Sequence, residues 1–93
     1  MIKSFQHKGL EKFFATGETK GIQAGHAKRL RLILGVLDAL TGLDDFKQYP
    51  NLDLHPLKGD LKGVWAVKVS GNWRVVFRWK SPDVNDVDYL DYH

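Results

Sequence analysis

Two short runs of alternating residues, Val64 to Val69 and Trp73 to Trp79, flank Ser70-Gly71-Asn72, and they restrict the fold more than anything else in the chain. A period of two is the pattern of a strand with one buried face. Residues suited to positive φ between two such runs signal a hairpin. A three-residue loop pairs Val69 with Trp73, Val67 with Val75 and Trp65 with Phe77, which gathers apolar side chains on one face. The opposite face then pairs Lys68 with Arg74, Ala66 with Val76 and Val64 with Arg78. A two-residue loop sets Val69 against Arg74 and mixes the faces, so the first register is the expected one. Lys68, Arg74 and Arg78 therefore share a sheet face.

Beyond Lys80 a loop near Ser81 to Asn85 turns the chain into a third strand. Pairing Arg78 with Asp88 sets opposite charges across neighbouring strands. It places Val76 opposite Leu90 and Arg74 opposite Tyr92, and brings His93 into the neighbourhood of Arg74. Asp91 then falls on the apolar face, so the strand is expected to end or bulge before it, or its carboxylate to meet a polar group.

Upstream, Ile2 to Phe5 reads as a short strand. Leu10, Phe13 and Phe14 at i, i+3, i+4 make one face of a short helix, with Gly17 placed for a left-handed cap. Residues 17–25 read as a glycine-broken loop. From about His26 to Leu40, Ala27, Leu30, Ile33, Leu34, Leu37 and Leu40 form a helical apolar stripe, with Gly42 as its expected cap. Lys28, Arg29 and Arg31 sit near the start of this helix, where cations oppose the helix dipole at about 0.3–1 kcal/mol each. Residues 43–63 read as irregular. His7 and His26 read as surface residues near the two helix starts. The sum is one α+β domain over residues 1–93: an N-terminal strand, two helices, then a three-stranded antiparallel meander packed on the helices.

The composition excludes several classes. With no cysteine there are no disulfides and no thiolate metal sites. No apolar run approaches the ~20 residues of a membrane span, and Met1-Ile2-Lys3-Ser4-Phe5 lacks the apolar core of a signal peptide. The cytoplasm is the expected location. The net charge is only +3, but Lys58, Lys62, Lys68, Arg74, Arg78 and Lys80 face Asp60 alone, while Asp83, Asp86, Asp88 and Asp91 close the chain. Such segregation suits a polyanion partner, although a solvated charged face has the same composition.

The chemistry-bearing residues fall in three groups. Lys68, Arg74 and Arg78 can hold phosphates. His55, Lys58 and Lys62 lie in the segment feeding the sheet; a histidine moves protons near neutrality, and a lysine stabilises an anion. Asp91-Tyr92-His93 sets three proton-handling groups at the C-terminus. Asp86 and Asp88 lack a third metal ligand, and neither a phosphate-binding loop nor a nucleophile elbow is present. No metal and no cofactor is expected.

At His55-Pro56-Leu57-Lys58-Gly59-Asp60, Gly71-Asn72-Trp73-Arg74 and Val87-Asp88-Tyr89-Leu90-Asp91-Tyr92-His93, the sequence resembles the HigB toxins of the RelE/ParE superfamily. The opening Met1-Ile2-Lys3-Ser4-Phe5 is similar too. The resemblance implies a RelE-like fold and a ribosome-dependent mRNA endoribonuclease that cuts message in the decoding site of the small ribosomal subunit. It also implies attack by the 2′-hydroxyl without a metal, a HigA-type helix-turn-helix antitoxin, and contact with operator DNA only through that antitoxin. His55, Lys58, Arg74, Asp91, Tyr92 and His93 take the family's active-site positions. Lys58 and Arg74 are then expected on the phosphate, His55 and His93 in proton transfer, and Asp91 and Tyr92 in orientation. Lys28, Arg29, Arg31, Lys62, Lys68 and Arg78 are expected to grip RNA. The antitoxin footprint is expected at Leu32, Val36 and the exposed side of the first helix. A ParE-like inhibitor of DNA gyrase and a non-catalytic RNA- or partner-binding module are the alternatives.

Overall fold

The computed structural model describes residues 1–57 and 63–92. Helix α1 spans Lys8–Thr16. His7 starts it, its Nδ1 accepting the Leu10 N–H at 2.9 Å. Gly17 ends it in the left-handed region at φ 81°, its N–H donated to the Phe13 carbonyl. A 3-10 turn over Ala24–His26 leads into α2, Ala27–Asp38. The expected stripe is the buried one: Leu30, Ile33, Leu34, Leu37 and Leu40 all enter the core.

Gly42 does not cap α2. The helix closes at Ala39, whose N–H reaches the Gly35 carbonyl, and Gly42 is extended at φ −168°. The chain after it is not irregular. It forms 3-10 helices at Leu43–Gln48 and Pro50–Leu52, which bury Phe46 and Leu52. Asp53 then turns the chain with φ 51° and ψ 54°.

Four antiparallel strands follow, in the order β1-β2-β3-β4: His55–Pro56, Val64–Ser70, Trp73–Lys80 and Asp83–Asp91. The two-residue β1 enlarges the expected meander. The hairpin has the expected pairs from Val64↔Arg78 to Lys68↔Arg74. Its tip differs: Ser70 pairs with Trp73 around Gly71-Asn72, and a bulge after Lys68 absorbs the extra residue. A two-residue turn is thus compatible with unmixed faces once Val69 is bulged.

The last strand is offset from the expected register. Arg74 pairs with Leu90 and Val76 with Asp88, while Arg78 pairs with Asn85. Two features account for this. The turn holds only Ser81-Pro82, joined by a cis peptide bond, and a bulge lies on β4 at Asp86, φ 54°. The bulge has a packing reason. Val84, Val87 and Tyr89 cannot all lie on one side of a regular strand, yet all three are buried.

Residues 1–6 run parallel to β4 as a ladder with isolated bridges at Ile2 and Phe5. Lys3 and Gln6 donate to the Val84 and Val87 carbonyls, and Val84 and Val87 donate back to Met1 and Ser4. Ser4 Oγ fills the gap at the bulge, accepting the Asp86 N–H at 2.8 Å. One hydrophobic cluster joins α1, α2, the 3-10 helices and the inner sheet face.

Gly9 in α1 touches Gly21 in the following loop. A Cβ on Gly9 would lie 2.6 Å from the Gly21 carbonyl oxygen, so backbone meets backbone and no side chain can yield. A Cβ on Gly35, within α2, would meet nothing. Gly35→Ala is therefore expected to stabilise by about 0.5–1 kcal/mol. Gly9→Ala should destabilise by about 1–3 kcal/mol, because its methyl has no room against the Gly21 backbone. Denaturant unfolding of both variants checks the opposite signs.

Candidate active site

Strand β1 brings His55 to the sheet. His55 pairs with Ala66, Ala66 with Val76 and Val76 with Asp88, so these side chains form a row on the face turned away from the helices. The next row is Lys68, Arg74 and Leu90. Strand spacing of about 4.8 Å and a two-residue step of about 7 Å separate the His55 and Arg74 backbones by roughly 12 Å. Two long side chains can converge across that distance. Ala66 and Val76 lie between them and give the floor an apolar middle.

The tautomer of His55 follows from its partner. Its Nδ1 lies 3.0 Å from the Asp53 carbonyl oxygen. A carbonyl only accepts, so in this bond Nδ1 carries the proton, and in the neutral ring Nε2 keeps the lone pair. The left-handed Asp53 aims that carbonyl back at the ring.

Arg74 is fixed by the hairpin tip. Its Nη1 donates to the Gly71 carbonyl at 2.6 Å and the Trp73 carbonyl at 3.0 Å. Its Nε is buried and has no acceptor among the described residues. Tyr92 lies diagonally from Arg74 and is about half exposed; its N–H is donated to the Asn72 carbonyl at 2.7 Å, so its neighbour across the sheet is the turn and not Arg74. Asp91 pairs with Trp73 at the end of the apolar face and is exposed, which resolves the burial problem of a longer strand. Arg78 Nε lies 3.7 Å from the Asp86 carboxylate, the partner that replaces the expected Asp88. A cavity of about 270 Å³ occupies this face, lined by Leu57, Val64, Val76, Leu90 and Tyr92, with Gln6, Arg78 and Asp86 also in its wall. Lys58, Lys62 and His93 lie outside the described residues.

The α2 cations separate into two kinds. Lys28 and Arg31 are exposed, and the Arg31 guanidinium lies 5.4 Å over the Phe13 ring. Arg29 turns inward and donates to the Asn51 and Lys68 carbonyls.

The family of RelE-like toxins of type II toxin–antitoxin systems described as HigB matches residues 3–93. The chain belongs to the HigB family. It is similar to the endoribonuclease HigB of Proteus vulgaris, with 40% identity over 93 residues and full coverage of both chains. Toxin HigB-1 of Vibrio cholerae serotype O1 is 29% identical over 94 residues, covering 100% of this chain and 98% of that one. Among solved structures, YafQ of E. coli strain BL21(DE3) superposes with a TM-score of 0.63 at 13% identity, covering 98% of this chain and 91% of that one. That likeness bears on the α+β RelE-type fold alone.

Behind the polar face, this HigB-family chain holds an aromatic cluster that sequence reasoning missed. His26 and His7 are half-buried, not surface residues. His26 Nδ1 pairs with the Tyr89 hydroxyl at 2.7 Å, and that oxygen accepts the Gln23 N–H at 3.3 Å. Trp73 packs on Tyr89 with centroids 4.7 Å apart, and His7 meets Tyr89 edge-on at 5.3 Å. The cluster ties the α1–α2 loop to the strand end that carries Asp91 and Tyr92. Burial pushes the Tyr89 phenol above its ordinary value of 10.0, only partly offset by the Gln23 N–H. The fold thus favours the neutral phenol. Its contribution is complete below about pH 10 and declines as the pH rises through the folded-state value. Tyr89→Phe should cost about 1 kcal/mol at neutral pH by losing the hydroxyl's bonds, and the deficit should shrink above pH 10; stability measured against pH in both proteins checks this.

Proposed function

We propose that this HigB-family toxin is a ribosome-dependent endoribonuclease that cuts mRNA without a metal. The observation that carries the reading is one sheet face bearing a histidine whose neutral ring has an available nitrogen, His55, and an arginine, Arg74, with a buried N–H that no described residue satisfies. A buried donor without an acceptor is costly, and a guanidinium that turns outward onto bound RNA can donate this N–H to a phosphoryl oxygen. The name of the Proteus vulgaris relative supports ribonuclease chemistry.

The reaction needs three operations on one phosphodiester. A base removes the 2′-hydroxyl proton, and the 2′-oxygen bonds to phosphorus. The P–O5′ bond breaks, and an acid protonates the leaving 5′-oxygen. The products are a 2′,3′-cyclic phosphate and a 5′-hydroxyl. His55 Nε2 suits the base, since Nδ1 already holds its proton against Asp53. Arg74 and Lys58 stabilise charge on the pentacoordinate phosphate. His93 completes the proton transfer, oriented by Asp91 and Tyr92. Lys28, Arg31, Lys62, Lys68 and Arg78 contribute salt-dependent attraction to RNA. A HigA-type helix-turn-helix antitoxin restrains the toxin and mediates its contact with operator DNA. The toxin works in the cytoplasm; no helix among the described residues is long and apolar enough to cross a membrane.

Mapping of mRNA 5′-ends after induction tests this. Wild type should create new 5′-hydroxyl ends within reading frames. His55→Ala should slow cutting on ribosomes by about 10²–10⁴-fold, and Arg74→Ala by about 10²–10³-fold. Cutting by purified toxin on programmed ribosomes should persist after chelation of any divalent ion bound to the toxin itself. Intact message together with topoisomerase inhibition would replace this reading with the gyrase one.

A further inference from the structure

Arg29 occupies an unfavourable place for a cation, the first turn of α2. The structure shows what its charge meets. The Val64 and Lys68 carbonyls point to the same edge of β2. The Leu57 N–H satisfies Val64 at 3.0 Å. Two positions before His55, the chain leaves β2 for the Pro50–Leu52 turn, so no strand N–H reaches Lys68. The Asn51 carbonyl faces the same gap. Arg29 Nη2 donates to Asn51 at 2.7 Å and to Lys68 at 3.2 Å, and its Nε donates to Lys68 at 3.3 Å. Two acceptors across a gap need a donor with several N–H groups in a fixed fork, which a guanidinium supplies.

The two carbonyls belong to the two halves of the site. Asn51 begins the short path through left-handed Asp53 to His55, whose Nδ1–H is held by the Asp53 carbonyl. Lys68 immediately precedes the bulge that shapes the hairpin tip, and that tip holds Arg74 through the Gly71 carbonyl. We propose that Arg29 is a positioning residue, which sets His55 relative to Arg74 by bridging the Asn51 and Lys68 carbonyls. It touches neither the scissile phosphate nor the 2′-hydroxyl. This rests on the ribonuclease reading of the same face and adds what aligns its two reacting halves. It also separates Arg29 from Lys28 and Arg31, whose side chains are exposed and suited to RNA.

Arg29→Lys keeps the charge and removes the planar fork. The test compares wild type, Arg29→Lys, Arg29→Met and the double variant Lys28→Ala/Arg31→Ala in three measurements. They are single-turnover cutting on programmed ribosomes, affinity for those ribosomes against salt, and long-range proton–nitrogen NMR of the His55 ring. Wild type should show the Nδ1–H form. Both Arg29 variants should shift the His55 nitrogens towards a mixture of tautomers and slow cutting by about 10²-fold, the scale of a misplaced reacting group. Arg29→Lys should hold ribosome affinity within about twofold, because its charge is retained. The double variant should weaken affinity and its salt dependence and leave the His55 spectrum unchanged.

Unmoved His55 signals in folded Arg29→Lys would overturn the proposal, whatever happens to the rate. Cutting within about twofold of wild type would do the same. If Arg29→Lys does not fold, Arg29→Met is read by the same two criteria, and, if neither folds, Arg29→Gln, which keeps a planar amide donor. Failure of the wild type itself to cut message is a separate outcome: it removes the ribonuclease reading, and with it the claim that Arg29 serves a reaction.

Discussion

The burial of one face of a twisted antiparallel sheet is the constraint on which the molecule depends. Val67, Val75, Phe77, Val87 and Tyr89 turn to the helices and are almost wholly removed from solvent. A strand reverses sides at every residue, so fixing this face fixes the other. His55, Lys68, Arg74, Arg78 and Tyr92 are presented away from the helices because their neighbours are buried. The core thus specifies the polar surface as strictly as it specifies stability. A one-residue slip between β2 and β3 would exchange the two sets.

The two bulges show what such a constraint demands. On β2, the bulge after Lys68 reconciles a tight Gly71-Asn72 turn with unmixed faces. On β4, the bulge at Asp86 lets Val84 join Val87 and Tyr89 in the core, and Ser4 satisfies the displaced N–H. In each case backbone regularity yields and side-chain segregation is kept. A bulge beside a functional face also re-aims the side chains around it. Here those are Arg74, at the hairpin tip, and Arg78, beside the Asp86 carboxylate.

What could be read from the sequence follows from the range of the information. Alternation from Val64 to Phe77 and the stripe from Leu30 to Leu40 are local patterns, and hairpin register and helix faces follow from them. The last strand's register is not local. It depends on the length of the Ser81-Pro82 turn and on the bulge, and the spacing of Val84, Val87 and Tyr89 was the available clue. Pairing Arg78 with Asp88 satisfies opposite charges, but a surface ion pair is worth far less than burying Val84 and Val87. Strand β1 is not legible because two residues carry no periodicity, so in the sequence His55 reads as a loop histidine. The role of Arg29 was legible only as an anomaly, a cation at the wrong end of a helix. His26 and Tyr89 are far apart in sequence, and nothing local joins them. The same charge pairing sets Tyr92 opposite Arg74, and the observed offset moves it instead to the Asn72 carbonyl of the turn.

The ladder between residues 1–6 and β4 has a consequence for how this sheet can meet other chains. It covers the outer margin of β4, which would otherwise offer a row of unpaired amides to any extended segment nearby. At the opposite margin β1 is only two residues long, and Arg29 closes the adjoining carbonyl of Lys68. Among the described residues the sheet therefore presents no long margin for strand addition. A protein that binds this toxin through the described residues is therefore expected to use its broad surfaces or its helices, not to lengthen the sheet.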